Sequence, residues 1–178
     1  TTDSDGGGND SPTERMRIDS AGNVGVGVTP ENSSGTWRNF EQGGMNLAGR
    51  SAGGVDGMVG TNYVFKTDNS EVYKYTAGTS RLFFDANEIK FQQAASGTAG
   101  TAISWSEAMR IDSSGNLLVG TTSGSGASAP DNSATAGDAG IRLSPTGFIG
   151  LGANQAPSGY FNRIGNDGDI VKFNKDGT

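Results

Sequence analysis

The sequence contains no cysteine and no histidine. Thiol nucleophiles, disulfides, imidazole bases and the usual Cys/His zinc sites are removed together, and no catalytic residue, metal site or cofactor suggests itself. Large core formers are also scarce. Val, Ile, Leu and Phe together make up about 17 % of the 178 residues, below the roughly 20 % typical of globular chains. Basic residues are few, 13 Lys and Arg against 19 Asp and Glu, and they form no cluster. With a pI near 4.5, the chain lacks a phosphate-neutralising patch, so nucleic acid is not an expected partner. No apolar run approaches the roughly 20 residues of a membrane span, and the first ten residues have neither the basic nor the apolar part of a signal peptide. Membrane insertion is therefore not expected. The absence of Cys fits assembly in a reducing cytosol, and a start at Thr1 rather than Met suggests a fragment or a processed product.

What is abundant is glycine: 30 Gly and 5 Pro account for about 20 % of the chain, against roughly 12 % in average proteins. That composition disfavours helices, and no window carries the i, i+3, i+4, i+7 spacing of an amphipathic one. A net charge of −6 is too small for its length to favour disorder throughout. The expected class is all-β with little or no helix.

The strongest internal signal is a repeat. Residues 14–27, ERMRIDSAGNVGVG, return at 107–120 as EAMRIDSSGNLLVG, and a diverged third copy, IRLSPTGFIGLG, occupies 141–152. Each copy predicts a β-hairpin. Met16 and Ile18 share one strand face, Asp19 opens the turn, and Gly22 or Gly115 supplies the left-handed conformation. Val24, Val26 and Val28 share one face of the return strand, with Gly25 and Gly27 opposite, where another backbone can approach closely. The third copy departs where Asp-Ser becomes Ser144-Pro145. Arg17, Arg110 and Arg142 recur at one place and are expected to be solvated or to form interchain salt bridges with Asp19 or Asp112.

Between the first two copies, residues 31–106 hold most of the aromatics in short alternating runs: 63–66, 72–75, 82–84 and 89–91, with 102–106 a further strand candidate. Turns are expected at 67–70, 77–80 and 85–88, and 92–101 is small and polar. The resulting plan has a linker at 1–13, hairpin repeats at 14–30 and 107–121, a knob-like aromatic β module at 31–106, a Gly/Ser/Asp linker at 122–140, and a third hairpin with a C-terminal hairpin at 141–178, the latter turning at Asn166-Asp-Gly168.

Residues 16–23 (MRIDSAGN), 96–104 with 107–116 (SGTAGTAIS and EAMRIDSSGN), and 161–177 (FNRIGNDGDIVKFNKDG) resemble bacteriophage tail fibre and tailspike proteins. The group concerned carries a C-terminal intramolecular chaperone of the endosialidase (S74 peptidase) type, which is absent from this sequence. The resemblance spans most of residues 13–178. It implies an elongated, intertwined homotrimeric fibre of β-hairpin repeats on the virion, assembled in the host cytoplasm. Its implied partners are itself, other tail proteins and a host surface glycan or protein. Pooling of thin apolar strips from three chains would also give this composition a core.

Function then divides into three expectations. A structural and host-binding fibre segment, not an enzyme, comes first. A polysaccharide depolymerase would need two placed carboxylates, for which Glu71, Asp85 and Glu88 are candidates. A pure stalk or linker segment without binding is the third. Trp37, Tyr63, Tyr73 and Tyr75 are the candidates for stacking on sugar rings, with a place in the trimer core as the competing role. Trp105 is assigned to the core. The acidic turns around Asp3, Asp5, Asn9 and Asp10, and around Asn166, Asp167 and Asp169, follow no known Ca²⁺-loop spacing and are read as turn chemistry.

Overall fold

The computed structural model describes residues 14–31, 35–122, 139–147 and 149–153. The 1–13 linker, most of the 122–140 linker, the C-terminal hairpin and both acidic turn clusters lie outside the described residues. Within them the chain is all-β, with strands and turns and no helix. The strands are β1 (Met16–Ile18), β2 (Val24–Val26), β3 (Trp37–Gln42), β4 (Met45–Arg50) and β5 (Gly57–Thr61). They continue with β6 (Tyr63–Phe65), β7 (Glu71–Tyr73), β8 (Ala77–Asp85), β9 (Glu88–Gly97), β10 (Ser106–Ile111), β11 (Leu117–Val119), β12 (Gly140–Leu143) and β13 (Ile149–Gly152).

Eleven of these strands form one sheet in the order β1-β2-β3-β4-β5-β8-β9-β10-β11-β12-β13, and β6 with β7 forms a separate two-stranded hairpin. All neighbours are antiparallel except β2 and β3, which run parallel. The 31–106 segment therefore supplies the middle of the sheet that the repeat hairpins share, and only β6 and β7 stand off it.

The repeats fold as hairpins β1–β2, β10–β11 and β12–β13. In the first, the Asp19 carboxylate accepts from the backbone N–H groups of Ala21 and Asn23 and from the Asn23 side chain, at 2.8–2.9 Å. Asp112 repeats the set with Ser114 and Asn116. Gly22 and Gly115 sit at φ +87° and +80°, where only glycine is unstrained. The diverged copy keeps Gly147 at +85°, with the Ser144 hydroxyl oxygen standing in for the carboxylate by accepting from the Thr146 N–H at 3.4 Å. Gly25 has the close approach expected of it, but the backbone it admits belongs to its own chain: a side chain there would collide with Val28 and Pro30.

Several expectations are corrected. Residues 77–80 begin β8 instead of turning, and β9 runs through the polar stretch to Gly97. Small residues there let the Tyr73 ring lie against Gly97 and its hydroxyl donate to the Ala95 carbonyl at 2.7 Å. Residues 102–106 give a single bridge, Ala102 to Val72, before β10 starts at Ser106. Within the chain Arg17 and Arg110 pair with glutamates, while the Arg142 charge acts on Asp112. Arg17 binds Glu14, Arg110 binds Glu107 and Glu88, and Arg142 donates to the Asn116 side chain.

Candidate functional site

Strand side chains alternate between faces, so the register decides what each face of the large sheet presents. On one face, direct cross-strand partners run Ile18, Val24, Phe40, Leu47, Val59, Leu82, Phe91, Met109, Val119, Ile141 and Leu151. Every one of the eleven strands contributes an apolar side chain to this ladder, and not one of the eleven residues is buried. At ~4.8 Å between strands the ladder spans ~48 Å. A second apolar row flanks it obliquely, with Met16, Val26 and Met45 on one side of the early strands and Phe84, Ile89, Ile111, Leu117, Leu143 and Ile149 on the other side of the late ones. Thr61, Ser80, Gln93 and Ser106 give the same face a polar margin along an open groove of about 700 Å³.

The opposite face is finished by the chain itself. The β6–β7 hairpin lays Tyr63 and Phe65 over Trp37, Ala48 and Met58, all buried, with Phe83, Ile103 and Trp105 at the margin. Phe65 stacks on Trp37 with ring centres 4.5 Å apart, and Tyr63 meets Phe65 and Trp105 edge-on. Burial pushes the Tyr63 phenol well above its ordinary pKa. Two ion pairs pin the hairpin down. Lys74 Nζ lies 2.9 Å from Glu41 Oε2, and both side chains are almost wholly enclosed. Burial pulls the Lys74 ammonium down, but the Glu41 hydrogen bond and charge outweigh it, so its pKa stands above the usual lysine value. On the other flank Glu71 accepts from Arg81 at 2.5 Å and from the Trp105 indole N–H, while the Arg81 guanidinium lies 4.0 Å from the Trp105 ring centre.

These placements sort the sugar-stacking candidates. Trp37, Tyr63 and Tyr73 are buried under or within the hairpin, so their rings are spent on the core of this single chain. Tyr75 is the one candidate with an accessible ring, half exposed beside Lys74 and above Gly44. The carboxylate candidates are all ion-paired: Glu71 with Arg81, and Asp85 and Glu88 both with Lys90. Trp105 is half-buried in the core margin.

The turn carboxylates of Asp19 and Asp112 are pulled below the ordinary aspartate pKa. Partial burial alone would raise them, and the hydrogen bonds from Asn23 or Asn116 and from the turn N–H groups more than reverse it. The asparagines also reach forward. Asn23 accepts from the Asn39 N–H on β3 at 3.1 Å, and Asn116 accepts from Arg142 on β12 at 3.2 Å. Each turn thus stitches its hairpin to the next strand of the sheet.

No protein family, curated protein or solved structure matches the chain.

Proposed function

We propose that this chain is a structural and host-binding segment of a bacteriophage tail fibre, working as a homotrimer. The unbroken apolar ladder carries this reading. A strip of exposed and half-buried apolar side chains from edge to edge of an eleven-stranded sheet is far larger than a monomer normally leaves in water. The strip is only one to two side chains wide, which suits three faces converging on a common axis better than the broad contact of a two-sheet sandwich. Covering it would add a second apolar core to the one that the chain builds under its own β6–β7 hairpin. The face bearing the β6–β7 hairpin would then point outward, toward the host, with Tyr75 as the ring free to stack on a sugar.

The test is the native mass of the full chain by light scattering over a dilution series. A constant mass of three chains, about 55 kDa from an 18.2 kDa chain, is the expected result. A folded monomer with a β-type circular dichroism spectrum would overturn the proposal.

A further inference from the structure

Among the described residues the large sheet ends at β1 on one side and β13 on the other. The β1 edge has an internal template, because the same hairpin occurs again with its outer edge occupied. The Gly27 N–H bonds the Arg15 carbonyl and the Asp19 N–H bonds the Asn23 carbonyl. In an antiparallel ladder this alternation turns the Arg17 backbone toward Gly25 and points the N–H and C=O groups of Met16 and Ile18 outward. In the second repeat the matching residues, Met109 and Ile111, face Phe91 and Ile89 of β9. In the third, Ile141 and Leu143 face Val119 and Leu117 of β11.

The arginine side chains tell the same story. Arg17 spends Nε and Nη2 on Glu14. Arg110 spends the same two nitrogens on Glu107 and sends Nη1 across to Glu88 on the adjacent strand, at 3.0 Å. Arg142 likewise donates across its outer edge, to Asn116 of the preceding hairpin. In both occupied cases the neighbouring strand presents apolar residues opposite the two apolar positions and a side-chain oxygen to the arginine. Met16 and Ile18 are 60 % and 66 % exposed, among the highest values on the apolar face, and a strand alongside β1 would cover them.

We propose that the β1 edge is a docking edge for the return strand of another hairpin of the same repeat type. It would be held as β11 is held by β12, with the turn asparagine of the incoming hairpin accepting from Arg17. The β13 edge of a second copy is the weaker occupant. Ile149 and Leu151 would fall opposite Ile18 and Met16, but Phe148 stands where the first two repeats carry Asn23 and Asn116, so the acceptor for Arg17 is missing. Docking on β1 does not depend on the trimer, since it uses the edge of the sheet and not its apolar face.

The test compares the full 178-residue chain with the same chain carrying an added copy of residues 107–121 ahead of Glu14 on a flexible Gly/Ser linker, which raises the local concentration of the hairpin. Amide hydrogen exchange of Met16 and Ile18 is the readout. Fast exchange in the parent and at least tenfold slowing in the extended chain is the expected result. Arg17→Ala, or Asn→Ala at the added turn, should return most of the lost exchange while leaving β8–β9 protected. Unchanged exchange with β8–β9 still protected would overturn the proposal. Met16 and Ile18 already protected in the parent, with protection lost on dilution, would overturn it in favour of β13 of a second copy. If the extension itself unfolds the sheet, the free 107–121 peptide is added to the parent chain at millimolar concentration. Shifts of the Met16 and Ile18 amide resonances then support the proposal and their absence overturns it. Native mass is read in parallel, so failure of the trimer and failure of the edge are seen separately.

Discussion

The two faces of the large sheet are built from the same strands, residue by residue in alternation, yet they end differently. One face buries Asn39, Glu41, Asn46, Ala48 and Met58 beneath a hairpin that the chain folds over itself. The other leaves Phe40, Leu47, Phe91 and Leu151 exposed along an unbroken ladder. The covered face is the more polar by composition, with ion pairs and amides among its aromatics, and the uncovered face is the more apolar. Apolar surface is what association rewards, whereas ion pairs need a partner already in place. The chain finishes its demanding face internally and leaves its simple, apolar face uncovered.

The sharpest way to break this division is to charge the open face. Leu47→Glu combined with Leu82→Glu lies on the ladder and away from the hairpin, so native mass should fall to that of one chain while a β-type spectrum persists. On the covered face the largest effect comes from Phe65→Ala, which removes the ring stacked on Trp37. It should cost about 3–5 kcal/mol by chemical denaturation of that double variant, used as the background so that assembly does not mask the loss. Glu41→Gln comes next, because it leaves the enclosed Lys74 ammonium with only the more exposed Glu31 carboxylate, 3.6 Å away, as counter-charge, at about 3 kcal/mol in the same assay.

The turns make a finer comparison. Asp19→Ala and Asp112→Ala should each cost about 1–2 kcal/mol, since each carboxylate holds several turn N–H groups. Their depressed pKa values fix the direction of the pH effect. The stabilisation is present above the unfolded aspartate pKa of about 4 and is lost as pH falls through the lower folded value. The two variants should therefore lose part of the acid sensitivity seen in the parent. Glu14→Ala removes a solvent-exposed partner of Arg17 and should leave the denaturation midpoint unchanged.

Much of the local structure was legible in the sequence. The repeat located three hairpins, Asp19 and Asp112 announced the turns, and Gly22 and Gly115 marked the positive-φ positions of those two turns. Aromatic alternation found β6, β7 and the apolar parts of β8 and β9. What escaped was set by tertiary context. Residues 77–80 carry turn chemistry, yet pairing with β9 and the Tyr73 ring beside Gly97 hold them extended. The ladder could not be read because alternation tells which residues of one strand share a face but not which strands become neighbours. The parallel step from β2 to β3, invisible to local pattern, is what joins the first hairpin to the rest. The fate of Trp37, Tyr63 and Tyr73 was hidden for the same reason: only the folding back of β6 and β7 separates a ring in the core from a ring in solvent.

The repeat hairpin also has a consequence for growth. Each copy brings its own turn, two apolar positions per strand for the ladder, and, where the turn asparagine is kept, a bond to whatever strand comes next. Duplicating such a unit lengthens the sheet by two strands, ~10 Å, without repacking anything already built. Each further hairpin of this kind would extend the sheet by the same fixed step and leave the existing strands as they are.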